Sequence, residues 1–216
     1  RANFVCDDRH RVLFDHSFER VAAAIEGETE PITIERSGPR QKIFFDPEKS
    51  RAAIVTCGGL CPGLNDVIRG VVMTLNYSYG VKTVYGIPYG YEGLIDSYGH
   101  QIVPLTPESV SEIHTEGGSI LGTSRGPQPI GQMVDKLISL GVNMLFVIGG
   151  DGTLRGASAI AQEVSYRGLK IGVVGIPKTI DNDLEYMDKS FGFETAFAEA
   201  VRVIRCAHNE ATGHAR

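Results

Sequence analysis

Met144-Leu145-Phe146-Val147-Ile148 runs straight into Gly149-Gly150-Asp151-Gly152-Thr153. A short apolar run stopped by a turn signal reads as a strand buried on both faces. Small and apolar residues then recur at helical spacing through Ala157, Ile160, Ala161 and Val164, and Gly168 closes them. The segment predicts strand, glycine turn, helix. Two other strand candidates stop in a similar way. Ala52–Thr56 ends at Cys57-Gly58-Gly59-Leu60-Cys61-Pro62-Gly63, and Lys170–Ile176 is halted by Pro177, ahead of Lys178-Thr179-Ile180-Asp181-Asn182-Asp183. Leu64, Val67, Ile68, Val71, Val72 and Leu75 mark one face of a helix after the first of these. Thr83–Ile87 adds a strand. Ile130, Met133, Val134 and Leu137 add a helix, with Gly141 placed as its C′ glycine, and Phe193, Ala196, Phe197, Ala200, Val201 and Ile204 mark the last one. This alternation implies an α/β domain: three layers, a mainly parallel sheet with helices on both faces. Ligands of such sheets bind beyond the carboxyl ends of the strands, so all three turns are expected on one shared edge.

Composition narrows the function classes. The chain has 216 residues and a net charge of −5, from 21 Lys and Arg against 26 Asp and Glu. With 42% hydrophobic and 22% charged residues it has ordinary globular usage, which excludes wholesale disorder. Mild acidity speaks against a general nucleic-acid binder. No apolar stretch approaches the ~18–20 residues of a membrane span, so no membrane partner is expected. The 26 glycines lie beside apolar runs, as ligand-approaching turns do, and not in a linker. Cys6, Cys57, Cys61 and Cys206 are too few for a disulfide scaffold and fit a reducing, cytoplasmic setting. Residues 1–50 are irregular and mix both charge signs. They read as an extension lying over the main domain or over a neighbouring subunit, or equally as a partly ordered tail. Residues 51–216 read as the α/β domain. Arg1 is not a Met and the last helical pattern stops soon after Cys206, so the chain is expected to be part of a longer polypeptide.

Three constellations could carry chemistry. In Gly149–Thr153, glycines admit a ligand to the backbone and the following helix start favours an anion. Asp151 would repel phosphate unless a cation such as Mg²⁺ stood between them. The same residues also spell a plain strand-to-helix turn with an N-cap Asp. In Pro177–Asp183, one carboxylate could accept the proton of an attacking hydroxyl, the other could sit near a metal, Thr179 could hold a hydroxyl or phosphate oxygen, and Lys178 could offset charge on a transferring group. An Asx-rich turn is the bland alternative. Gly58–Gly63 could cradle phosphate but lacks the Walker Lys-Ser/Thr. Arg125 and Gly126 lie in a glycine-flanked loop, equally suited to phosphate binding and to plain exposure. Cys57 and Cys61 have no matching Cys/His pair for zinc. His208 and His214 read as helix surface. Ser-based nucleophilic catalysis is set aside because the G-x-S-x-G elbow is taken to be absent.

In chain order, Gly58-Gly59…Pro62-Gly63-Leu64-Asn65, Gly90-Tyr91, Leu121–Arg125, Gly149–Thr153, Thr179–Asp183 and Gly192–Ala196 resemble the motif series of 6-phosphofructokinase over about residues 51–210. Asp7-Asp8…Arg11-Val12-Leu13-Phe14-Asp15 is similar to the extension of the plant and trypanosomal subgroup. The resemblance implies transfer of a phosphoryl group to the 1-hydroxyl of fructose 6-phosphate, with Mg²⁺. It implies Asp181 as catalytic base beside Lys178, Thr179, Ile180, Asp181 and Asp183 as acceptor residues, and Asp151 as the metal-associated carboxylate. Gly59, Tyr91, Arg125, Gly126, Gly150, Asp151, Gly152, Thr153 and Gly156 would contact the nucleotide. Pyrophosphate-using members usually carry Asp at the position of Gly152 and Lys at that of Lys178; bacterial ATP-using members usually carry Gly at both. This chain has Gly152 with Lys178, a pair that also occurs in the plant and trypanosomal subgroup, and this favours ATP. The family's Met-Gly-Arg motif and the arginines for the sugar phosphate are expected beyond Arg216. A homo-oligomer, dimer or tetramer, and allosteric control are also implied. Pyrophosphate-dependent activity, a non-catalytic regulatory subunit, and a lipid or NAD kinase sharing only Gly-Gly-Asp-Gly-Thr remain the alternatives.

Overall fold

The computed structural model describes residues 6, 7 and 9–213; Asp8 and His214, noted above, lie outside them. The chain divides into two compact units between Asp46 and Pro47, four residues before the expected boundary. The first unit is more regular than its composition suggests. Strands β1 (Arg11–Leu13) and β2 (Thr33–Glu35) pair antiparallel, Val12 opposite Ile34, with helix α1 (Phe18–Ile25) between them. Cys6 is buried within this unit, its thiol donating to the Ser37 carbonyl at 3.1 Å.

The second unit contains β3 (Arg51–Thr56), α2 (Leu64–Met73), β4 (Thr83–Ile87), β5 (Val103–Leu105), α3 (Ile130–Ser139), β6 (Met144–Gly149), α4 (Asp151–Tyr166), β7 (Gly172–Pro177) and α5 (Phe193–Gly213). One sheet runs in the order β5-β4-β3-β6-β7. All its pairings are parallel except that of β5, an antiparallel edge strand absent from the sequence-based expectation. Side chains of a strand alternate between faces. Ala53 and Val55 accordingly join Leu145 and Val147 under α3 and α4, where Met133, Leu137, Ala157 and Ile160 close one core. Ala52, Ile54 and Ile148 join Leu64, Ile68 and Val72 of α2 in the other. Helices therefore cover both faces, as expected.

The sheet order places the site. The chain leaves β3 to one side, through β4, and returns to the other, through β6 and β7. The crevice at such a reversal opens between β3 and β6, beyond their carboxyl ends. Thr56 pairs with Ile148 and Gly149 with Pro177, so the turns after β3, β6 and β7 leave one edge at nearly one level. Strand β7 starts at Gly172, two residues later than expected, and takes in Pro177. A missing N–H is tolerated at the end of an edge strand. Helix α5 forms where its spacing predicts, but none of its described residues is buried, and Phe197, Val201 and Ile204 make an exposed stripe. Among the described residues no helix is long and apolar enough to cross a membrane.

Candidate active site

The turn after β3 begins with Cys57, whose amide donates to the Ile148 carbonyl at 2.9 Å. Gly58 (φ +81°) then bends the chain, its amide bonding Ser124 at 3.0 Å, and Gly63 (φ +86°) leads into α2. Both lie in the left-handed region that glycine enters without steric cost. The Cys57 thiol lies against Gly90, Tyr91 and Thr153, and burial pushes its pKa up to about 12. It is a packing group, not a nucleophile.

The turn after β6 is the start of α4. Gly150 is the N-cap and Asp151 opens the helix, so the Asp is not itself the cap. A side chain at 149 would meet Thr153 at 2.5 Å and one at 156 would meet the Tyr91 ring at 2.7 Å, whereas one at 152 would meet nothing within 4 Å. Two of these glycines are required by packing. Gly152 faces open space. The Tyr91 hydroxyl donates to the Thr153 carbonyl at 2.6 Å, so Tyr91 holds the first turn of α4. Helix-start N–H groups and the helix dipole point into the same space, which suits an anion. Asp151 is exposed there, its carboxylate paired through both oxygens with Arg155 one turn on.

The turn after β7 closes the group. The Lys178 amide donates to the Gly149 carbonyl at 2.9 Å, and its ammonium reaches across to the Gly59 carbonyl at 2.6 Å. Lys178 is only 5% exposed. Burial, with a smaller push from the Arg125 guanidinium, lowers its pKa, while Cys61 and Cys57 act the other way. Thr179 donates to the Asp183 carboxylate at 2.5 Å and accepts from the Asp181 amide at 3.2 Å. The Asp181 side chain is exposed.

Two cavities meet here. One, of about 740 Å³, is lined by Gly59, Tyr91, Arg125, Gly126, Gly150, Asp151, Gly152, Thr153 and Gly156, the full set expected to contact the donor. The other, of about 910 Å³, is lined by Thr179, Ile180, Asp181 and Asp183, the set expected for the acceptor. Gly59, Arg125, Gly150, Asp151, Arg155 and Lys178 belong to both and form the shared rim. Sequence reasoning missed Arg155, although its i+4 spacing from Asp151 was readable. It also missed the apolar wall of the first cavity, Ile130, Met133 and Ala159, which reads in sequence as helix interior.

Gly122-Thr123-Ser124-Arg125-Gly126 does spell G-x-S-x-G, contrary to the sequence-based expectation. No strand runs into it and the next helix starts only at Ile130, so there is no nucleophile elbow.

Residues 51–216 match the family described as phosphofructokinase. The chain belongs to the phosphofructokinase family. It is 54% identical over 176 residues to ATP-dependent 6-phosphofructokinase 7 of Arabidopsis thaliana, covering 82% of this chain and 36% of that protein. It is 54% identical over 183 residues to ATP-dependent 6-phosphofructokinase of Trypanoplasma borreli, covering 85% of this chain and 37% of the relative. The solved phosphofructokinase of Saccharomyces cerevisiae superposes with a TM-score of 0.61 at 28% identity, over 76% of this chain and 25% of that one. The chain thus spans little more than a third of the length of the curated relatives it matches.

Proposed function

We propose that the polypeptide carrying this chain is an ATP-dependent 6-phosphofructokinase, and that this chain supplies the donor site and the general base. The observation that carries the proposal is the shared rim. A donor held at the start of α4 and an acceptor held beside Asp181 would meet across Lys178 and Gly59. The 1-hydroxyl of fructose 6-phosphate loses its proton to Asp181 as its oxygen bonds to the terminal phosphorus of ATP. The bond from that phosphorus to the bridging oxygen breaks and ADP leaves. Lys178 and the α4 N–H groups balance charge on the group in transit.

The residues present fit Mg²⁺ of one kind. No three His, Cys, Asp or Glu residues cluster as a metal cage among the described residues, but Asp151, at the start of α4 in the donor cavity, would offer a hard oxygen donor on releasing its ion pair with Arg155. Mg²⁺ is commonly held by one or two carboxylates and the substrate's own phosphates. Bound in that way, it would neutralise phosphate charge.

ATP is the better-supported donor. Gly152 leaves open space where a side chain would stand, and Ile130, Met133 and Ala159 give the donor cavity an apolar wall suited to a base and useless to pyrophosphate. The acceptor cavity carries Asp181, Asp183 and Glu185, and its own cations, Arg125, Arg155 and Lys178, lie on the rim shared with the donor, so further cations for the sugar phosphate would come from elsewhere in the polypeptide or from a neighbouring copy, in keeping with a homo-oligomer. The free thiols support a cytoplasmic setting. Turnover of the full-length polypeptide with ATP and with pyrophosphate tests the donor: ATP should be preferred, and a preference for pyrophosphate would overturn it.

A further inference from the structure

The Asp181 carboxylate has a demanding task for an exposed side chain on a loop. Its own amide is tied to Thr179, but the carboxylate has no hydrogen bond or ion pair among the described residues. Its aim therefore rests on the backbone either side of it. Asn182, the next residue, sits at φ +54°, a conformation that residues other than glycine seldom adopt and that Asn tolerates best. Its side-chain carbonyl accepts from the Ser190 amide at 2.6 Å, and its amide nitrogen donates to the Asp188 carbonyl at 3.3 Å. Ser190 is buried, 3% exposed, and its hydroxyl donates to the Thr179 carbonyl at 2.7 Å. Residues 179 and 182, on either side of Asp181, are thus fastened to the same buried serine.

Building on the base role proposed for Asp181, we propose that Asn182 and Ser190 form a clamp that positions this carboxylate against the acceptor hydroxyl. Neither residue lines the donor or the acceptor cavity, so both act through Asp181 and not on the substrate. A clamp of this kind sets kcat with little effect on ground-state binding, because a displacement of about 1 Å at a reacting group can cost ~10²-fold in rate.

Asn182→Gly is the informative variant. It keeps the positive φ and removes the clamp. In the full-length polypeptide, with ATP and fructose 6-phosphate, kcat should fall ~10²-fold while both KM values stay within ~3-fold. Asn182→Asp keeps the acceptor for Ser190 and the tolerance for positive φ, and should recover at least ~10-fold of that loss. Ser190→Ala should lower kcat in the same direction. In an Asp181→Ser background, Asn182→Gly should cost nothing further, since the group it aims is gone. Unchanged kcat in Asn182→Gly, or an equal loss in both backgrounds, overturns the clamp while Asp181 keeps its role. Near-normal turnover of Asp181→Ser alone would instead remove the base, and the clamp with it.

Discussion

The ammonium of Lys178, just past β7, donates to the carbonyl of Gly59, just past β3, across 2.6 Å and 119 residues of chain. This bond joins the outer two of three turns, and the Lys178 amide fixes the middle one through Gly149. Local sequence supplies each turn. The parallel order β3-β6-β7 makes them neighbours, and one buried cation locks them together.

Lys178→Met keeps the stem and removes the charge. The Gly59 carbonyl loses its partner, which costs about 1–3 kcal/mol if it stays buried. The midpoint of thermal unfolding should fall modestly and kcat by ~10²-fold, more than KM changes. Lys178 is also depressed below its ordinary pKa by burial. Between that folded value and the unfolded one, the unfolded chain binds the extra proton, so this group's contribution to stability rises with pH across that window. The alkaline limb of kcat should accordingly begin below the ordinary lysine range, and a rate that is flat through that range would argue against a protonated Lys178 in the reaction.

Gly152→Asp separates folding from donor binding. A Cβ added at this position would meet nothing within 4 Å, and an acid in the first turn of a helix is favourable. Stability should be unchanged or slightly raised. ATP affinity, measured by titration calorimetry, should fall at least ~10-fold through like-charge repulsion, while sugar phosphate binding holds. Equal loss of both ligands would count against the open space as the donor's place.

Gly156→Ala should destabilise by about 1–3 kcal/mol, because its methyl group would stand 2.7 Å from the buried Tyr91 ring. Tyr91→Phe should cost about 1 kcal/mol through the lost bond to Thr153. Chemical denaturation gives both values. An unaffected midpoint in Gly156→Ala would mean that Tyr91 does not brace α4.

Alkylation of Cys57 by iodoacetamide should be slow at neutral pH and still rising through pH 9, where an ordinary thiol of pKa about 8.5 begins to level off. Mass spectrometry of the modified peptide would follow it. A plateau by pH 9 would show that the thiol is not buried as described.

Much of this was legible in the chain. The apolar runs of β3 and β6, and the glycine turns that end them, are strong local signals, and their parallel pairing follows from the intervening helices. Strand β5 was not legible, because Val103-Pro104-Leu105 is short and holds a proline that only an edge accepts. The small elements before Asp46 were hidden by mixed charge and weak periodicity. The donor and acceptor residues came from motif spelling, and spelling could not say that Tyr91 spends its hydroxyl on Thr153, that Asp151 pairs with Arg155, or that Gly122–Gly126 lacks the strand and helix of an elbow. Those depend on which segments tertiary packing brings side by side.

The central claim is that donor and acceptor meet at the rim between Gly152 and Asp181. A crystal structure of the full-length polypeptide with a non-hydrolysable ATP analogue, Mg²⁺ and fructose 6-phosphate tests it most directly. The account predicts the terminal phosphate at the start of α4 and the sugar 1-hydroxyl within hydrogen-bond reach of the Asp181 carboxylate. Nucleotide phosphates bound away from Gly149–Thr153, or a sugar whose 1-hydroxyl faces another residue, would contradict it.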